Sequence, residues 1–116
     1  MKKIEADVVI IGSGTAGMKA YRMARRKTNQ VLMVEGAHFG TTCARVGCMP
    51  SKLLISAANT AHAANNTAPF GVHVKEVGVN GKEVMDRVKK ERDRFVNFIL
   101  DDVNDFTAEG GTVRGW

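Results

Sequence analysis

Asp7-Val8-Val9-Ile10-Ile11-Gly12-Ser13-Gly14-Thr15-Ala16-Gly17 is the stretch that decides the fold of this chain. Its first five residues form a short, β-branched apolar run, the pattern of a strand buried on both faces of a parallel sheet. A G-x-G-x-x-G turn follows at once. Met18 to Lys27 then reads as a helix with Ala20, Met23 and Ala24 on its apolar side. Gln30 to Glu35 is a second apolar strand that ends on an acid. Strand, crossover helix and strand make a βαβ unit, whose crossover is right-handed. The fold class expected is α/β, the opening of a doubly wound parallel sheet.

Each part of the turn suits the binding of a dinucleotide. Gly12 permits the sharp reversal after the strand, Gly14 lets the backbone approach a pyrophosphate, and Gly17 lets the helix pack close to the sheet. With Thr15 and Ala16 they form the start of a helix, where free N–H groups and the macrodipole favour phosphate. Glu35 stands about twenty residues further on, where a carboxylate accepts hydrogen bonds from ribose hydroxyls. A plain glycine-rich turn would need neither the flanking strand and helix nor the acid. The pattern does not separate a flavin from a nicotinamide dinucleotide. The acid opposes a 2′-phosphate, because like charges would meet.

Cys43-Ala44-Arg45-Val46-Gly47-Cys48-Met49-Pro50-Ser51-Lys52 is the second informative stretch. On a regular α-helix, residues five apart have Cα atoms about 8.6 Å apart, whereas a disulfide needs them within about 7 Å. If the two cysteines bridge, Cys43 must lie off a regular helix. Gly47 is a poor helix former, and Pro50 lacks the N–H that would bond to the carbonyl of Val46. Lys52 lies one turn beyond Cys48 on the same helical face, where a cation favours a thiolate. The start of the helix would likewise favour a thiolate at Cys43. A structural zinc site needs four ligands. His38 and His62 would have to complete it, at a spacing that fits no usual metal pattern, so no metal site is expected.

The rest of the chain reads as packing. A helix is expected from about Ala44 to Asn65, with Leu53, Leu54, Ala57, Ala58, Ala61 and Ala64 as its apolar stripe. Pro69 and Gly71 break the loop that follows. A second long helix runs from Lys82 to about Phe106, with Val84, Val88, Phe95, Ile99 and Val103 on one side. Gly110 and Gly111 end it, and residues 112–116 open another strand. The 116 residues allow one domain at most. The net charge of +5 is scattered, without the basic stripe and interleaved aromatics of a nucleic-acid binder. Two cysteines do not make a disulfide-dense secreted scaffold. Lys2 and Lys3 before an apolar run imitate a signal peptide, but Glu5 and Asp7 interrupt that run and it is too short to span a membrane. A cytoplasmic location is expected.

Together, the glycine turn, Glu35 and Gly40-Thr41-Thr42-Cys43-Ala44-Arg45-Val46-Gly47-Cys48-Met49-Pro50-Ser51-Lys52 resemble the class I pyridine nucleotide–disulfide oxidoreductases. The second stretch is similar to that family's redox signature, G-G-T-C-x-N-x-G-C-x-P-S-K, and is most like its bacterial dihydrolipoamide dehydrogenase branch. The resemblance implies FAD at Gly12, Gly14, Thr15, Ala16 and Gly17, with Glu35 on the adenosine ribose and Thr42 and Lys52 close to the flavin. It implies a redox-active pair in which Cys43 meets the substrate and Cys48 faces the flavin, Lys52 beside it. It further implies NAD(P)H as co-substrate, a disulfide or lipoyl group as substrate, and a homodimer. The second glycine turn and the interface domain, which carries a His–Glu acid–base pair, have no counterpart here. Residues 1–116 therefore read as an incomplete N-terminal segment of an FAD-binding domain, inactive alone. Thr41 replaces the signature's second glycine and puts a side chain near the expected cofactor path. Arg45 replaces its asparagine and puts a charge between the sulfurs. These departures leave open a mercuric or other disulfide reductase, or a truncated nucleotide-binding module.

Overall fold

The crossover pattern takes the expected form. The computed structural model describes residues 3–108 and 111–115; the expectations at Lys2, Gly110 and Trp116 fall outside them. Strand β1 (Val8–Ile11) leads through α1 (Thr15–Arg25) to β2 (Val31–Glu35). Then come a single turn α2 (Thr42–Arg45), the helices α3 (Cys48–Asn65) and α4 (Gly81–Ala108), and β3 (Thr112–Gly115). All three strands are parallel, in the order β1-β2-β3. Val8 pairs with Val31, Ile11 with Val34 and Glu35 with Gly115, so the ends of β1 and β2 that carry the glycine turn and the acid are in register.

One face of the sheet carries the core. Val31 and Met33 of β2 are buried there against Met18 and Tyr21 of α1 and Val103 and Phe106 of α4. Tyr21 joins the layers: its ring stacks on Phe106 at 4.5 Å, and its hydroxyl donates to the Phe106 carbonyl at 3.1 Å. Beside them Arg22 lies over the Phe106 ring and pairs with Asp102 at 2.7 Å. That pair is half exposed, so it contributes at most about 1 kcal/mol. The buried side of α1 is thus Met18 and Tyr21, with Ala24 partly covered. Ala20 and Met23, expected on that side, are exposed.

The expectation that β1 is buried on both faces is not met. Val9 is 55% and Ile11 78% exposed, while Val8 and Ile10 turn toward the core. In a strand, alternate side chains point to opposite faces, and the helices of this chain cover only one. The long helices show the same imbalance. α3 meets α4 through Leu53, whose carbonyl accepts from Arg87, yet no residue of α3 is buried. Leu54 and Ala58, expected in its stripe, are exposed, and Ile55 is 56% exposed. α4 keeps its expected side, with Val88, Val103 and Phe106 buried. Its start is capped by Asn80, whose Oδ1 accepts from the N–H groups of Lys82 and Glu83.

So little apolar burial leaves conformational entropy poorly opposed. The isolated 116-residue chain should melt broadly, below the roughly 45–65 °C typical of mesophile domains. Circular dichroism measures this directly, and a sharp transition within or above that range contradicts it.

Candidate active site

The glycine turn owes its shape to three local constraints. Gly12 has φ +99°, a conformation that side chains disfavour, and its N–H donates to the Val34 carbonyl at 2.8 Å. A Cβ at position 17 would lie 1.9 Å from the Gly12 carbonyl oxygen, so α1 can approach β1 this closely only with glycine there. A Cβ at position 14 would meet nothing within 4 Å. Gly14 is also the N-cap of α1 and provides no side-chain cap. The first turn of α1, with Thr15 and Ala16 exposed, therefore faces open space with N–H groups that no side chain caps. That is the arrangement an anionic phosphate fits.

Glu35 is tied back to this turn. Its Oε2 accepts from the Ser13 N–H at 2.7 Å and from the Ser13 hydroxyl at 2.9 Å, and its Oε1 accepts from the Ala37 N–H at 2.9 Å. The Ser13 N–H, more than any other group, holds the carboxyl below its ordinary range, and the Ala37 N–H adds to this. The Gly36 N–H adds a further, smaller contribution in the same direction. Ser13 is 1% exposed and was not singled out from the sequence. A hydroxyl inside the glycine turn, opposite an acid at the end of β2, was the available signal.

The helix that was expected to begin near Ala44 is two helices. α2 ends at Arg45, and Val46 (φ −137°, ψ 1°) and Gly47 (φ −118°, ψ −111°) break the path before α3 starts at Cys48. The break lies between the cysteines, where a bridge between them would need it. Cys43 is half-buried, Cys48 is exposed, and both are free thiols. A hydrogen bond to Cys48 keeps the proton on Cys43 and pushes that thiol above its ordinary value; Lys52 opposes this by charge. The direction of that shift runs against the thiolate expected at Cys43 from the helix start. α2 has one turn of peptide dipoles, too few to outweigh a sulfur in contact.

Thr41 has a second role beside its place at the expected cofactor path. Its side chain is tucked inward, 7% exposed, where Oγ1 accepts from the Ala44 N–H at 3.1 Å. It caps α2, and Thr41 also lines the pocket that holds Thr15 and Cys43. The stem of Arg45 lies alongside Gly40. Thr42 is exposed at the start of α2.

The two motifs meet in one pocket of about 340 Å³. Thr15 of the glycine turn and Cys43 line it, together with Met18, Met49, Phe95 and Phe98. Lys52 borders a separate hollow along α3, and Glu35 sits at the other side of the turn with Ser13. Among the described residues no cluster of His, Cys, Asp or Glu could hold a metal, and no helix is long and apolar enough to cross a membrane.

The depressed Glu35 carboxyl gives a pH test. A carboxyl with a lowered folded pKa adds stability above its unfolded value, and that stability is lost as pH falls through the folded value. Urea midpoints of the protein and of Glu35→Gln should differ at pH 7 and converge on acidification below the ordinary value of 4.5. A difference that persists or grows in acid contradicts the role of these hydrogen bonds.

Comparison with known proteins agrees with this geometry. The family described as pyridine nucleotide-disulphide oxidoreductase matches residues 6–114. The chain is 37% identical over 97 residues to the dihydrolipoyl dehydrogenase of Chlorobaculum parvum, which covers 81% of this chain and 21% of that protein. It is 44% identical over 71 residues to a mercuric reductase of Streptomyces lividans, covering 60% and 15%. With a glutathione reductase of Burkholderia cepacia it shares 37% over 73 residues, covering 63% and 16%. The chain thus spans about a fifth of the length of the first of these relatives. A family match over nearly all of its residues, on a parallel sheet with the glycine turn and cysteine pair in place, shows that this chain belongs to the pyridine nucleotide-disulphide oxidoreductases.

Proposed function

We propose that this chain is the opening segment of the FAD-binding domain of a larger enzyme. That enzyme moves reducing equivalents between NAD(P)H and a disulfide or dithiol, with dihydrolipoamide as the favoured substrate. The observation that carries this reading is the shared pocket: the start of the phosphate turn at Thr15 and the cysteine at Cys43 line the same space. A bound dinucleotide and a sulfur pair would act together only if brought this close.

The residues present fit FAD. The uncapped start of α1 and the open side of Gly14 would take its pyrophosphate, through Gly12, Gly14, Thr15, Ala16 and Gly17. Glu35, at the end of β2 beside the turn, would accept from the adenosine ribose. Thr42 and Lys52, flanking the cysteines, would lie along the rest of the cofactor. When bound, FAD supplies the acceptance of a hydride and the release of electrons in a form that a disulfide can use.

The chain's own part is sulfur exchange. With the pair reduced, Cys43 as thiolate attacks a substrate disulfide, forming one S–S bond and releasing one substrate thiol. Cys48 then attacks Cys43, closing the Cys43–Cys48 bond and releasing the second. Two electrons and two protons pass from the pair to the substrate, and oxidation of a dithiol runs the same path backwards. Because the hydrogen bond to Cys48 raises the Cys43 thiol, Cys43 needs a base to take its proton. The His–Glu pair implied by the family resemblance would serve, supplied across a homodimer. A cytoplasmic enzyme follows from the same reading.

The identity to a mercuric reductase favours a second reading, with Hg(II) as the species reduced. Steady-state assays of the full-length enzyme with NADH or NADPH separate the two. Turnover of lipoamide is expected; turnover of Hg(II) without lipoamide would support the second. No pyridine nucleotide-dependent turnover of any disulfide or of Hg(II) would leave only a nucleotide-binding module. The glycine turn offers a further check. Gly14→Val should keep the fold, since its Cβ meets nothing, yet lose FAD during purification. Gly17→Ala should instead destabilise the protein by about 1–3 kcal/mol through overpacking against Gly12. Full flavin occupancy in Gly14→Val contradicts the assignment.

A further inference from the structure

We propose that Thr41 is a positioning residue for the cysteine pair: its hydroxyl caps the turn that carries Cys43, and so sets how readily Cys43 and Cys48 form a disulfide. The proposal rests on the redox reading of that pair. Among the described residues, Thr41 is the one non-glycine residue with positive φ. Its φ of 54° and ψ of 145° lie close to a region that is essentially glycine's. A β-branched residue in positive φ is an outlier, and such a conformation persists only where its surroundings over-determine it.

The surroundings here are specific. The Thr41 side chain is buried, and Oγ1 accepts from the Ala44 N–H at 3.1 Å. The Thr41 carbonyl accepts from the Arg45 N–H, also at 3.1 Å. These two bonds hold both sides of a helix only four residues long. A single turn does not sustain itself, because nucleation fixes several residues for one hydrogen bond. At the far side of the turn the chain is close-packed: a Cβ at Gly47 would sit 3.2 Å from the Thr42 carbonyl and 3.5 Å from the Cys43 Cα. Thr41 is therefore the anchor at one end of the segment bearing Cys43, and Gly47 is the tight passage to Cys48 at the other. Glycine at position 41 would adopt this backbone freely but has no hydroxyl to cap with. Threonine accepts the backbone strain and gains a fixed turn.

The consequence lies in ring closure. Two sulfurs held within reach lose little freedom when they bond. In exchange with glutathione disulfide, the Cys43 and Cys48 thiols form their S–S bond while the glutathione S–S bond breaks. Two electrons and two protons pass to two glutathione thiols. Without the cap, the turn frays in the dithiol and the protein disulfide is disfavoured.

The test is a redox titration of the full-length enzyme in glutathione buffers, read by alkylation of Cys43 and Cys48. Thr41→Val should lower the equilibrium constant for disulfide formation about tenfold, within the range for a lost helix cap. That corresponds to a rise of about 30 mV in potential for this two-electron couple. Thr41→Ser keeps the hydroxyl and should stay within about twofold of the wild type, on a scale where a cap is worth more. Thr41→Gly removes the hydroxyl at a φ that glycine takes without strain. It should shift in the same direction as valine and carries the test if the valine variant does not fold. Valine and glycine variants within twofold of a wild type that forms the disulfide normally would overturn the role of Thr41. A wild type in which Cys43 and Cys48 never form a disulfide would overturn the redox reading and the proposal with it.

Discussion

The carbonyl oxygen of Gly12 occupies the space that any side chain at position 17 would need. Much of the rest depends on that contact. It seats α1 directly on β1 and brings Met18 and Tyr21 over Val31 and Met33. Tyr21 in turn receives Phe106, which fixes α4 against α1. α4 then presents Phe95 and Phe98 to the pocket that Cys43 shares with Thr15. One close backbone approach thus carries, through a stack of side chains, into the placement of a sulfur far along the chain. The same approach leaves the start of α1 without a side-chain cap, with Glu35 drawn back onto Ser13 beside it.

The parts of this arrangement that were legible in the sequence are those set by local pattern. The run from Asp7 to Gly17 specifies strand, turn and helix by residue type alone, and Val88 and Val103 mark the buried side of α4 by period. On α1 the period places Ala24 correctly but puts Ala20 and Met23 inward, where the structure exposes them, whereas Tyr21 needs the Phe106 carbonyl, 85 residues away, to be buried well. The exposed side of β1 could not be read, because an apolar run reports what a strand can bury and not what covers it. At the site, a disulfide between Cys43 and Cys48 would need a break in the helix between them, and such a break is there. Ser13, the inward turn of Thr41 and the upward push that Cys48 gives the Cys43 thiol depend on neighbours in space, which spacing does not encode.

The distribution of burial has a functional side. The core lies between β2, α1 and α4, while Cys48, Lys52, Thr42 and Thr15 are all exposed. The rigid part of the chain therefore lies behind the site, and the groups that would touch cofactor and substrate face outward from it. α3 follows Cys48 with no buried residue, and Val9 and Ile11 leave the second face of the sheet uncovered. Regions with few buried contacts open at low free energy. Exchange between sulfurs asks for some of that freedom, within the limits that the α2 turn and Gly47 impose on Cys43.

The central claim is that the glycine turn and the cysteine pair serve one path for electrons. Differential alkylation of Cys43 and Cys48 in the flavin-loaded full-length enzyme, before and after anaerobic NADH or NADPH, tests it most directly. Both cysteines should resist alkylation in the oxidised enzyme and both should react after reduction, in step with the reduced nucleotide consumed. Cysteines that alkylate fully beforehand, or that stay protected once the nucleotide has been oxidised, would contradict the claim.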